Sequence, residues 1–173
     1  MKNKVLIPTF YFDPAYKSGG PIKSISEIVK LLSKVNDITV LTTNRDIDGE
    51  LLSINYDELY QKYNSKIIYK DTFPNIFYLI NYFYKNKFEY VYLNSFFSIK
   101  ECLYFVILSL FFKYKIIIST RGQLMDGALK KRILIKRIYL YFFKIFFVGK
   151  IEKIHITNEN ELESLIKYLG VKA

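Results

Sequence analysis

The sequence predicts an α/β fold built on a doubly wound parallel sheet. Three observations lead there. Short apolar runs recur along the chain. They are apolar on successive residues rather than alternating, as strands covered on both faces are. Longer segments with helical apolar spacing separate most of them, and strands alternating with helices build βαβ units.

The short runs are Val5–Thr9, Ile38–Thr42, Lys66–Tyr69, Tyr90–Leu93, Lys115–Ser119 and Lys153–Ile156. Pro21–Val35 reads as a helix with Ile22, Ile25, Ile28, Val29 and Leu32 on one face. Pro74–Lys85 opens with a proline suited to a first helical turn. Ser98–Phe112 is apolar almost all round, which predicts a deeply buried helix. Leu129–Val148 reads as one long basic helix, and Asn160–Leu169 as a helix stopped by Gly170. Arg45–Asn64 is polar without a clear period and reads as a loop with a short helix around Asp57–Tyr63.

Length and charge narrow the function. The 173 residues suit one domain. One cysteine, Cys102, and one histidine, His155, exclude a disulfide framework within the chain and multi-His or Cys-based metal sites. Cys102 reads as a reduced, buried cytoplasmic thiol, and His155, within a short apolar run, as a core or rim histidine. The longest apolar stretch, Cys102–Phe112, is 11 residues, short of the ~20 that span a bilayer. The net charge of +10 is concentrated: residues 121–150 hold eight basic and one acidic side chain. Tyr, Phe, Lys, Ile and Asn are abundant, but all have AT-rich codons, so their excess carries no functional weight.

In doubly wound sheets, ligands bind beyond the carboxyl ends of the strands. That rule selects the loop after the first strand, Asn94–Ser95, Arg121–Gly122 and Thr157–Glu159. Ser18-Gly19-Gly20-Pro21 follows a strand and opens a helix. Its glycines let backbone approach a ligand closely, and the helix N-terminus favours an anion; a tight turn needing positive φ explains the same residues. Neither G-x-G-x-x-G nor G-K-[ST] is present, which argues against a nicotinamide dehydrogenase and a P-loop NTPase. Arg121 offers a fork of donors to phosphate or carboxylate, or a structural pair with Asp126. Lys130, Arg137 and Lys144, spaced by seven, fall near one helix face; Arg132 and Lys136 fall on another. With Leu134, Ile138, Tyr141 and Ile145 between, the helix suits an anionic membrane surface, or simply a packed helix with solvated lysines.

The order of VLIPTFYFDP, SGGP opening a helix, ITVLTT, EYVYLNS, IISTRGQL before a basic helix, and IHITNENE with a helix ending LG resembles a known family. It resembles the N-terminal domain of family 4 (group 1) glycosyltransferases of the GT-B type, especially those that build bacterial surface polysaccharides. The resemblance covers nearly the whole chain. It implies a Rossmann-like domain, residues 1–173, forming the acceptor side of a cleft. A C-terminal donor-binding domain with a Glu-x7-Glu pattern is expected beyond residue 173 and is absent from this sequence. Carried over, Gly19 and Gly20 form the donor-phosphate loop. Asn94 and Ser95 line the acceptor side, where many relatives have histidine. Arg121 and Gly122 lie at the cleft floor, and Glu159 near the rim. The implied chemistry is retaining sugar transfer from a nucleotide-sugar to a lipid-linked surface-polysaccharide acceptor. No metal or cofactor is implied beyond the nucleotide-sugar as co-substrate, and no catalytic residue is assigned. The implied partners are that nucleotide-sugar, a glycan or glycolipid acceptor, an anionic membrane surface and a C-terminal donor-binding domain or chain. No nucleic acid is expected. The expected place is cytoplasmic and peripheral on the inner face of the plasma membrane, and the expected activity of this half alone is nil. The alternative is a membrane-surface or nucleic-acid-binding module using helix 129–148.

Overall fold

A computed structural model describes residues 2–130 and 133–170, apart from the Asp126 side chain. Six strands form a parallel sheet in the order β3 (Lys66–Lys70), β2 (Asn36–Thr43), β1 (Asn3–Pro8), β4 (Tyr90–Leu93), β5 (Lys115–Ser119), β6 (Ile151–His155), flanked by helices, so the doubly wound α/β class is borne out. The chain divides into two compact units, residues 1–92 and 93–173.

In the first unit, β1 (Asn3–Pro8) pairs with β2 (Asn36–Thr43), Val5 opposite Ile38 and Ile7 opposite Val40. β2 also pairs with β3 (Lys66–Lys70), and β1 with β4 (Tyr90–Leu93). Leu6, Ile7, Ile38, Val40 and Leu41 are fully buried, as continuous apolar strands require. α1 (Gly20–Leu32) buries Ile22, Ile25 and Val29, three positions of the apolar stripe. α2 (Tyr56–Tyr63) lies where the short helix was expected. The Asn55 side chain caps it through the Glu58 N–H, and Asn64 ends it in the left-handed region at φ 47°. α3 (Ile76–Lys85) is capped by Asn75 and buries Leu79 and Phe83.

The second unit departs more from expectation. The predicted helix 98–112 is a π-helical turn, Ile99–Leu103, followed by α4 (Tyr104–Leu108). The Ser98 carbonyl accepts from both Cys102 and Leu103 N–H groups, which widens the first turn. Cys102, Phe105, Val106 and Leu108 are buried, but Phe111 is 78% exposed, so the apolar run outlasts the helix. β5 (Lys115–Ser119) pairs with β6 (Ile151–His155), with an irregularity between Ile116 and Ile117. β6 is an edge strand with Glu152, Lys153 and His155 exposed, so His155 is no core residue. The predicted helix 129–148 is described as α5 (Asp126–Lys130) and α6 (Ile133–Phe146); residues 131 and 132, and with them the Arg132 assignment, lie outside the described residues. α7 (Glu159–Leu169) is capped by Asn158 and stopped by Gly170 at φ 66°.

Candidate functional site

The β1–α1 loop in the first unit is held from below and open above. Gly19 is the N-cap of α1 at φ 74°, a conformation that favours glycine. No side chain caps α1, and its first turn holds Pro21 and no acidic residue. A Cβ added at Gly19 or Gly20 would meet nothing within 4 Å. The end of a thirteen-residue helix therefore lies beside open space without a side-chain cap; Pro21 has no N–H and the Ile22 N–H donates to the Gly19 carbonyl, so it is the positive end of the helix dipole that favours an anion there. Asp46 shapes the approach: one oxygen accepts the Lys17 N–H at 3.0 Å and the other the Ser18 hydroxyl at 3.0 Å. Burial pushes the Asp46 carboxyl up, but N–H donors from Ile47 and Lys17 and the Ser18 hydroxyl outweigh it and hold it below the usual range. Lys17 closes the other side of the turn through Asp48, at 2.7 Å, and Glu50.

Asp13 anchors the start of the same loop. It is 3% exposed. Its Oδ2 accepts from Lys62 Nζ at 2.5 Å and the Tyr63 hydroxyl at 2.7 Å, and its carbonyl accepts from the Tyr69 hydroxyl. Burial pushes its carboxyl up, yet the donors from Lys62, Tyr63 and Tyr16 and the charge of Lys62 prevail, so it stays ionised to lower pH than usual. Burial and Asp13 together raise the Tyr63 hydroxyl to about 12.

In the second unit, the loops at the carboxyl ends of β4, β5 and β6 interlock. Arg121 stands at φ 46° and Gly122 at φ 69°, so the chain turns through two left-handed residues after β5. Arg121 Nε donates to Asn94 Oδ1 at 2.5 Å. Gln123 follows the same direction: its Oε1 accepts from Phe96 and Phe97 N–H groups at 2.8 and 3.2 Å, and its Nε2 donates to Ser95 Oγ at 3.3 Å. Asn94, Ser95, Arg121 and Gly122, selected from the sequence, are thus brought together, and Gln123 joins them. Asn94 takes the part of Arg121's partner; the Asp126 side chain, expected in that role, lies outside the described residues.

The residue that locks this cluster is Glu161, which the strand-end rule passed over. Its side chain is fully buried. Oε1 accepts from the Thr120 hydroxyl and from Gly122 N–H at 2.6 Å; Oε2 accepts from Thr157 N–H at 2.8 Å and the Thr157 hydroxyl at 2.9 Å. Burial pushes its carboxyl up, but these donors outweigh it and hold it below the usual range. A signal existed: Asn158-x-x-Glu161 has the spacing of a capping box, and Asn158 Oδ1 accepts the Glu161 N–H at 2.9 Å. Glu159, the residue selected from the sequence, is exposed in the first turn of α7.

The membrane-surface candidates are all exposed: Lys130 ends α5, and Arg137 and Lys144 lie two turns apart on α6. The described residues fix no helical phase between Lys130 and the other two. Cys102 is fully buried and its thiol is pushed up to about 12 by that burial, which suits an inert packing role. Among the described residues, no group of three His, Cys, Asp or Glu side chains is placed to hold a metal ion, and no helix is long and apolar enough to cross a membrane.

No protein-family model matches the chain, and no curated protein matches it either. The functional reading therefore rests on this geometry.

Proposed function

We propose that this chain is the acceptor-side domain of a GT-B-type glycosyltransferase that transfers sugar from a nucleotide-sugar to a lipid-linked surface-polysaccharide acceptor. The observation that carries the reading is the uncapped, open N-terminus of α1 behind Gly19 and Gly20, a ready cradle for donor phosphates. The sheet order and the Asn94–Arg121 cluster at the strand ends support it, because that is where doubly wound sheets take ligands. On this reading Arg121 and Asn94 face acceptor hydroxyls, and a second domain holds most of the donor. Half of the positioning groups are then missing from residues 1–173, so the chain alone turns nothing over. The test is to incubate it with nucleotide-sugars and lipid-linked glycan acceptors. Acceptor binding lost in Arg121→Ala, without turnover, supports the reading; turnover by the chain alone, or no acceptor binding, overturns it.

A specific observation favours membrane-surface association as a second element of the function. On α6, Leu134, Ile135, Ile138, Tyr141 and Ile145 are 56–73% exposed beside Arg137 and Lys144. Apolar side chains with basic flanks suit the headgroup region of an anionic bilayer. That would place a cytoplasmic enzyme on the inner face of the plasma membrane. Vesicle flotation reads it: binding to anionic but not neutral lipid, weakened by Arg137→Gln with Lys144→Gln, is expected. Unchanged flotation of the double variant removes this element.

A further inference from the structure

Beside α1 in the first unit lies a cavity of about 290 Å³ that reaches Gly19 at one end and extends from there along α1 toward Lys62 and Tyr63. Its lining includes Asp13, Tyr16, Lys23, Ser26, Lys62 and Tyr63. The volume is near the lower end of the roughly 300–1,000 Å³ usual for small-molecule sites. It suits a monosaccharide rather than a nucleotide.

The chemistry of the lining is unfinished in two places. Asp13 is 3% exposed and its Oδ2 is fully engaged, but Oδ1 is buried without a hydrogen-bond partner. A buried carboxylate oxygen without a donor is costly and asks for one. The second gap is a charge. Lys62 pairs with Asp13, and Lys30 with Glu27 at 2.9 Å. Lys23 makes no ion pair among the described residues. The cavity thus lacks one donor and has one cation in excess.

We propose that this cavity binds an acidic monosaccharide. A ring hydroxyl donates to Asp13 Oδ1 and the acidic group lies against Lys23. A hydroxyl fits Oδ1 better than an ammonium does, because Lys62 already brings a positive charge to the same carboxylate. Tyr16, 69% exposed and itself a donor to the Asp13 carboxylate, forms the rim, where its ring offers a face to the sugar. The inference needs no step of the glycosyl-transfer reading and is read by binding alone; because the cavity shares Gly19 with the donor-phosphate loop, inorganic phosphate is the control that separates the two.

The experiment titrates the full chain with glucuronate, glucose 6-phosphate, glucose and inorganic phosphate at constant ionic strength, following backbone amide shifts. Expected are saturable shifts around Gly19–Ser26 with both acidic sugars, and at least tenfold weaker binding of glucose and of inorganic phosphate. Lys23→Gln, an exposed change, should weaken the acidic sugars about tenfold and leave glucose unaltered. Asp13→Asn should weaken all three sugars. If that variant fails to fold, Lys23→Gln and the ligand series still decide. Equal binding of glucose and glucuronate, inorganic phosphate as tight as glucose 6-phosphate, or no effect of Lys23→Gln would each overturn the proposal. An absence of sugar-dependent shifts would do the same, leaving Oδ1 to a buried water.

Discussion

Asp13 and Glu161 do similar work in the two units and are completed differently. Each is a buried carboxylate that fixes a loop at the carboxyl end of the strands. Glu161 has two donors on each oxygen, all of them neutral hydroxyls or backbone N–H groups. Asp13 is served by Lys62, Tyr63 and Tyr16 yet its Oδ1 has no partner, and one of those donors is the partly exposed Lys62. The glycines nearby repeat the contrast. A Cβ on Gly122 would come within 3.3 Å of Met125 Sδ, whereas Gly19 and Gly20 face open space. The loop after β5 is therefore closed upon itself, and the loop after β1 is held at its base and left unfilled above. A closed carboxylate builds structure; a half-open one leaves capacity for a ligand.

The sharpest break in that comparison is Glu161→Ala. It strands the buried Thr120 hydroxyl and the Gly122 and Thr157 N–H groups that the carboxylate serves. Hydrogen bonds to charged groups contribute about 1.5–3 kcal/mol each, so a loss of about 3–5 kcal/mol is expected, read from the urea midpoint. Asp13→Ala removes fewer bonds and lets Lys62 return to water, so about 2 kcal/mol is expected. Equal losses at the two sites would erase the distinction. Acid should act in the same direction. Both carboxyls titrate below their ordinary values of about 4 when folded, so the unfolded chain binds more protons there. Their contribution is complete above about pH 5 and is lost as pH falls through their depressed values. The Glu161→Gln variant should show a shallower fall of the urea midpoint between about pH 5 and pH 3; an unchanged slope contradicts the assignment.

The fold was legible because periodicity reports burial. Continuous runs such as Val5–Thr9 and Ile38–Thr42 could only be covered strands, and the stripe Ile22-Ile25-Val29 could only face a core. The same logic failed where burial is not what the residues serve. In Ser98–Phe112 the apolar run continues past α4 into exposed Phe111, and in α6 it covers a surface. β6 starts two residues and ends one residue earlier than its apolar run suggests, because an edge strand needs no continuous apolar cover. The strand-end rule located Asn94, Ser95, Arg121 and Gly122 because position along a strand is visible in sequence. It missed Glu161, and it selected the loop that holds Asp13 without singling that residue out; both roles depend on contacts with residues tens of positions away, 41 for Thr120 and 50 for Tyr63. The capping-box spacing of Asn158 and Glu161 marks a helix start, but no local pattern encodes the distant pairs themselves.

Smaller effects separate the glycines. Gly122→Ala combines a left-handed φ with a tight approach to Met125, so a loss of about 2 kcal/mol is expected. Gly19→Ala meets only the backbone term, but at φ 74° and ψ −140° the backbone lies near a region all but reserved for glycine, so a loss of about 2 kcal/mol is expected there too. Gly20→Ala should be nearly neutral. Gly20 is helical, its φ is not in the left-handed region, and beyond its chain neighbours its Cβ would find open space, but it precedes Pro21, whose ring crowds a Cβ on a preceding α-region residue, so helix propensity and that crowding offset to within about 0.5 kcal/mol. If that open space is kept for donor phosphates, the same methyl group would sit where a ligand approaches. Thermal denaturation should then show a midpoint little changed, while amide shifts induced by a nucleotide-sugar at the start of α1 weaken several-fold. A variant that holds its stability and keeps those shifts would make Gly20 a plain helical residue and reduce the open loop to Gly19 alone.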